Sequence, residues 1–197
     1  MVQILNKGSK TVRKKLEILR NAATAFRENG FHGTGMRDIA RSMDLAPGAL
    51  YYYFRSKEEL LFFCQDYSLD RMLEAAGKIV RRKIGARQKL QELIQAQMEC
   101  MLDELQGSAG HLEYPSLPDE LLEKIVAKRD RYEGILRRVI EAGIRSRVFR
   151  SVDAKLACRM ILGAVNWTVR WYRPDGPNPP GEIADQFGDI LIRGLLR

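Results

Sequence analysis

The sequence predicts an all-α protein of about nine helices, an N-terminal three-helix bundle followed by a larger helical domain. Three observations carry this. Apolar residues recur every three to four positions along most of the chain. No hairpin dipeptide joins two alternating apolar runs, and β-branched residues do not cluster. At 197 residues, the chain can bury well over half of its unfolded surface without disulfides or metals.

The first helix is expected from about Thr11 to Glu28, with Ile18, Leu19, Ala22, Ala23 and Phe26 as its inward stripe. Asn29-Gly30 ends it, because both residues tolerate a left-handed backbone. A short helix follows, roughly Met36 to Met43, then a tight break at Asp44-Leu45-Ala46. A third helix opens at Pro47, where the missing N–H is not needed, and ends near Phe54. Ser56 caps a long helix beginning KEELLFF, whose Glu58 and Glu59 suit the positive end of the helix dipole.

Ala86 to Leu105 reads as a helix with Leu90, Leu93, Ile94, Met98, Met101, Leu102 and Leu105 on one broad face. QGSAGHLEYPSLP is a loop by its Gly, Ser and Pro content. A long helix from Asp119 to about Ile144 has room for one break. Asp153 to Trp171 is apolar all round, which implies a buried position. After the stiff linker RPDGPNPPG, Glu182 to Leu196 forms a last amphipathic helix.

The net charge of +8 is unevenly spread. Residues 1–57 carry 11 Lys or Arg against four acids, whereas the remainder is nearly balanced, with 22 basic and 21 acidic residues. A basic module of this size suits a phosphate backbone or an anionic membrane surface. The membrane is disfavoured, because no long basic helix with a broad apolar face fits the region. No apolar run reaches membrane-span length and the N-terminus lacks a signal peptide's hydrophobic stretch, so a cytoplasmic location is expected. Cys64, Cys100 and Cys158 are scattered through apolar segments, which argues against a disulfide scaffold or a zinc site. The chain has no HExxH, GxSxG, P-loop or Gly-rich dinucleotide turn and only two histidines. Neither catalysis nor a metal nor a cofactor is expected.

Two short helices separated by a three- or four-residue turn, inside a basic segment, form a helix-turn-helix signature. Leu50 and Phe54 face inward with Ile39, Ala40, Met43 and Leu45. At about 100° per residue, Gly48, Tyr51, Tyr52 and Arg55 then face outward. Adjacent exposed tyrosines suit DNA, since each phenol can donate to a phosphate or lie against a thymine methyl. The same rotation turns Tyr53 inward.

The run AATAFRENGFHGTGMRDIARSMDLAPGALYYYFRSKEELL resembles the N-terminal domain of TetR-family transcriptional repressors. Matches fall at Ala22-Ala23, Phe26, Gly30-Phe31, Thr34, Asp38-Ile39-Ala40, Gly48, Leu50-Tyr51, Tyr53-Phe54 and Ser56-Lys57-Glu58-Leu60. The resemblance implies a DNA-binding domain over 1–57 and a ligand-sensing and dimerisation domain over 58–197. It also implies a homodimer on a palindromic double-stranded DNA operator, released by a small-molecule effector. By the same resemblance Thr34 and Lys57 contact phosphates, Arg37 with Pro47, Gly48 and Ala49 approach base edges, and Tyr51 and Tyr53 approach the backbone. Gly35 and Ala46 depart from the family, which places hydroxyl residues there. Gly35 can still cap a helix with Asp38 reaching back, whereas Ala46 cannot cap. Readout by residues 47–49 is therefore thin, which shifts weight to Arg37 and Arg41 or to DNA shape.

The segments GAVNWTVRWYRPDGP and RDRYEGILRRVIEAG resemble the C-terminal domain of family members that regulate lipid, fatty-acid and steroid catabolism. Several of these respond to acyl-CoA thioesters, so an effector of that type is implied. In the residues themselves, Asn166, Trp167, Arg170 and Trp171 put two indoles and a guanidinium on neighbouring helical turns. Arg170 suits a ligand phosphate or carboxylate. A tryptophan core with Arg170 bridged to an acid such as Asp185 fits the same spacing, and the two readings stay open. Met98, Met101, Leu102, Tyr132, Ile135 and Met160 suit the wall of an apolar cavity or a plain core. His111, beside Glu113 and Tyr114, reads as an exposed loop histidine. The expected dimer interface is the helix pair 153–171 and 182–196, forming a four-helix arrangement with its partner. A regulator without an effector, whose C-terminal domain serves only dimerisation or protein partners, is the alternative.

Overall fold

The first helix outruns its stop signal. In the computed structural model, which describes residues 10–102 and 113–197 but not the Arg27 side chain, α1 spans Lys10–Gly33 with a kink at Gly30 (φ 72°, ψ 161°). Glycine adopts that left-handed φ without Cβ strain, so the helix breaks where expected and one further turn follows. α2 (Met36–Ser42) and α3 (Pro47–Tyr53) come next. The Asp38 carboxylate accepts from the Gly35 N–H at 3.0 Å, capping α2 where Gly35 has no side chain to do so. Between them Asp44 takes φ 51°, and the Leu45 N–H closes the turn on the Ala40 carbonyl at 2.9 Å. Ala46 contributes no side-chain cap to α3.

Ser56 caps α4 (Lys57–Arg81) by accepting from the Glu59 N–H at 3.1 Å, and the Glu59 carboxylate reaches back to the Arg55 N–H at 2.7 Å. α5 (Ala86–Leu102), a 3-10 turn (Tyr114–Ser116), α6 (Asp119–Arg145), α7 (Ala154–Trp171) and α8 (Pro180–Arg193) follow. Eight α-helices and one 3-10 turn make nine helical elements among the described residues, without a strand. α6 is continuous, so the break allowed for is not there. α8 begins at Pro180, which serves as the first helical residue. It ends at Arg193, beyond which Leu196 pairs with Phe149 in an isolated antiparallel bridge. Lys7, Leu105 and His111 lie outside the described residues.

α5 is the central helix and packs against α4, α6, α7 and α8. Its Leu90, Leu93, Ile94 and Met98 are fully buried, each stabilising the fold by about 1.5–3 kcal/mol relative to exposure. Lys128 of α6 sits between Asp66 and Asp70 of α4, its Nζ 2.5 Å from a carboxylate oxygen of each. A Cβ on Gly143 would come within 2.1 Å of the Phe149 ring, so the turn after α6 closes only on glycine. The three cysteines are buried and form no disulfide among the described residues. Burial pushes the Cys64 thiol up to about 12, which keeps it protonated and inert at neutral pH.

The expectation that 153–171 is buried all round is wrong. Cys158, Ile161, Val165 and Thr168 face the core. Leu156, Met160, Trp167 and Trp171 are 60, 68, 62 and 45% exposed. One chain covers only one face of α7, and an apolar second face has the same period as a core.

Candidate DNA interface and effector cavity

The outward face of α3 matches its periodicity. Tyr51 and Tyr52 are 48 and 82% exposed; Arg37, Arg41, Pro47, Gly48 and Arg55 are exposed, and Ala49 is half-buried. Arg37, Arg41, Ala46 and Pro47 border an open hollow of about 450 Å³ between α2 and α3. Arg41 lies 3.6 Å from Asp38, an exposed pair too weak to hold it back from DNA. Tyr53 is half-buried against the core and meets the Tyr52 ring edge-on at 5.1 Å. It is turned toward the core, as the helical rotation indicated, with its ring against Tyr52.

Thr34 requires a correction. It is buried, and its Oγ1 donates to the carbonyls of Gly30 at 2.8 Å and Ala25 at 3.1 Å. Its hydroxyl secures the kinked end of α1, and its proton is engaged there and not offered to solvent. Lys57 is also drawn inward: its Nζ donates to the Phe31 carbonyl at 2.7 Å and lies 4.3 Å over the Phe31 ring. It ties the start of α4 to the end of α1 and keeps two N–H bonds for an anion. Thr34→Val is expected to cost about 1–3 kcal/mol, because the Gly30 carbonyl loses a buried donor. Thr34→Ser should restore the melting temperature, and DNA affinity should follow the folded fraction. A Thr34→Val protein with unchanged melting but weakened DNA binding would reinstate the phosphate role.

Four helices line a half-open cavity of about 280 Å³, with Tyr114 of the 3-10 turn at its edge. Leu69 and Met72 come from α4, Gln97 from α5, Arg129 and Tyr132 from α6, and Arg159, Leu162 and Asn166 from α7. Tyr132 is buried and donates its O–H to the Leu93 carbonyl at 3.2 Å. Burial raises its pKa well above the ordinary phenol value, so it stays neutral. Gln97 Nε2 donates to Asn166 Oδ1 at 3.0 Å and approaches the Met101 sulfur at 3.6 Å. At the mouth, the Arg129 guanidinium lies 4.2 Å over the Tyr114 ring. Burial lowers its pKa, partly offset by Tyr114 and Asp130.

Of the residues expected to hold an effector, only Tyr132 and Asn166 line this cavity. Met98, Met101 and Leu102 are plain core, at most 2% exposed. Met160, Trp167, Arg170 and Trp171 face outward, away from them. The set does not form one site, because helical spacing fixes which residues share a face and not what covers it. Arg170 and Trp171 border a wide groove of about 1010 Å³ with Arg173, Glu28 and Glu113. Asp185 accepts from Gln95, so the tryptophan core bridged by Arg170 is not formed either. Leu69, Met72, Gln97, Arg129, Arg159 and Leu162 are not among the residues the sequence pointed to. Gln97 carried a visible signal: it is the polar residue within the stripe Leu90, Leu93, Ile94, Met98, Met101.

Residues 83–195 match the tetracyclin repressor-like C-terminal domain, and residues 18–62 match the bacterial regulatory proteins of the tetR family. The chain belongs to the TetR family. It is 30% identical over 191 residues to the HTH-type transcriptional repressor KstR2 of Rhodococcus jostii, covering 92% of this chain and 91% of that protein. The fatty acid metabolism regulator protein of Bacillus subtilis is 26% identical over 185 residues, covering 92 and 95%. Among solved structures, the TetR-family transcriptional regulator PfmR of Thermus thermophilus superposes with a TM-score of 0.82 at 34% identity, covering 91% of this chain and 99% of that one. In this TetR-family transcriptional regulator, α2 and α3 lie within the N-terminal match, and the cavity is walled by α4 together with α5, α6 and α7 of the C-terminal match.

Proposed function

We propose that this TetR-family regulator is a repressor, not an enzyme, acting in the cytoplasm. It binds a palindromic operator as a homodimer through residues 1–57 and is released when a small hydrophobic effector of the acyl-CoA type enters residues 58–197. One observation carries the reading. Leu69 and Met72, which wall the cavity, stand on the same helix whose first residue, Lys57, is fastened to the DNA-binding module. A ligand that displaces them moves the helix to which the module is tied. Arg129 and Arg159 suit the phosphate or carboxylate of an amphipathic ligand.

The exposed apolar residues of α7 (Leu156, Met160, Trp167) and Ile190 of α8 supply a self-complementary surface for a twofold partner. The pairing would set two recognition helices about 34–36 Å apart, one turn of DNA. Linkage requires operator and effector to weaken one another by the same factor.

The test is to titrate acyl-CoAs, free fatty acids and planar cationic drugs into the protein–operator complex, following release by fluorescence anisotropy. Acyl-CoAs should release the operator, and Arg159→Ala should raise the concentration needed several-fold. Release by cationic drugs alone would overturn the effector class. No release by any ligand would favour a C-terminal domain that serves only dimerisation or a protein partner.

A further inference from the structure

One residue of the cavity wall carries a buried polar atom that the fold leaves unused. Gln97 is 2% exposed, and its Oε1 has no hydrogen-bond partner among the described residues. Chemistry fixes which end of the amide is free. The other end faces Asn166 Oδ1 at 3.0 Å and the Met101 sulfur at 3.6 Å. A thioether accepts but has no proton to give, so the N–H₂ belongs on that side and the carbonyl oxygen on the other. A buried acceptor without a donor is a standing cost to the fold, and an apolar residue among Leu93, Ile94 and Met98 would avoid it.

Among the described residues, no donor of the walls is bonded to Gln97 Oε1. The Tyr132 O–H is committed to the Leu93 carbonyl, and Leu69, Met72 and Leu162 have none to offer. Asn166, whose oxygen accepts from Gln97, keeps its N–H donors, which suit a ligand carbonyl. The space is small as well. A volume of 280 Å³ holds about nine water-sized groups at roughly 30 Å³ each.

We infer that Gln97 is a specificity-determining residue, and that the effector buries a short acyl group whose hydroxyl or amide N–H donates to Gln97 Oε1. A short 3-hydroxyacyl thioester is the simplest member of that class: its carbonyl suits Asn166 and its hydroxyl suits Gln97. This deepens the effector reading above and rests on it.

The test compares matched pairs, butyryl-CoA with 3-hydroxybutyryl-CoA and the corresponding N-acetylcysteamine thioesters, by calorimetry on the intact wild-type protein and on Gln97→Met and Gln97→Leu. In the wild type the hydroxylated member should bind about tenfold or more tightly, since a site built for a hydroxyl rejects the analogue lacking it. Both variants should lose that preference, and their ligand-free melting temperatures should rise or hold. Equal binding of the two members to the wild type would mean that water satisfies Oε1 and would overturn the proposal while leaving the acyl-thioester reading intact. A preference that survives Gln97→Met would overturn it equally. Failure of every thioester to bind would remove the effector reading and this inference with it.

Discussion

Ile190→Glu is expected to leave the monomer fold intact and to lower operator affinity by about 100- to 1,000-fold. Ile190 is 68% exposed, so a single chain loses nothing by the change. In a twofold interface the substitution occurs twice. It removes two apolar side chains, each contributing about 1.5–3 kcal/mol when buried, and brings like charges together across the axis. Met160→Glu, on the neighbouring helix and 68% exposed, should act in the same way. Light scattering at micromolar concentration should show monomers, with melting temperatures close to that of the wild type. An Ile190→Glu protein that remains dimeric and binds the operator normally would move the interface off α7 and α8.

Operator affinity is expected to fall by about 1,000-fold or more between 50 and 200 mM salt, the response of a dimer that neutralises six to ten phosphates. The surplus of positive charge in residues 1–57 would be present twice in the proposed dimer. Tyr51→Ala should weaken specific and random DNA alike, because a phenol on a phosphate reads no sequence. Arg37→Ala should in addition relax base preference by about 1–3 kcal/mol at one position in each half-site. Competition among single-base operator variants separates the two effects. An affinity that is flat with salt would remove the electrostatic basis of this interface.

Helix boundaries were legible wherever one residue type has a single local use. Ser56, Asp153 and Pro47 each stand at a helix start, and Asn29-Gly30 marks the kink. The exposed face of α3 was legible because Tyr51 and Tyr52 fall opposite its inward stripe. Thr34 was misread because family resemblance marks a position as mattering without saying whether it matters inside or outside. Trp167 and Met160 were misread because apolar residues look alike whether covered by the same chain or left for another. Lys128 and its two aspartates stand on different helices far apart in sequence, and no periodicity links them. Gln97 was legible and passed over: a polar residue on a buried stripe asks for a partner, and its neighbours supply only half of one.

The ion cluster of Lys128 with Asp66 and Asp70 gives α4 a fulcrum. The cluster centres near Ser68, about 16 Å along the helix from Lys57 and about 6 Å from Met72 at 1.5 Å per residue. The arm on the DNA side is therefore nearly three times longer than the arm on the cavity side. In a rigid helix pivoting there, a 1 Å displacement of Met72 becomes about 3 Å at Lys57. Rotated about the twofold axis of the proposed dimer, the two protomers would move their recognition helices together or apart by up to twice that amount. An effector smaller than one turn of DNA can in this way spoil a fit that spans a whole turn.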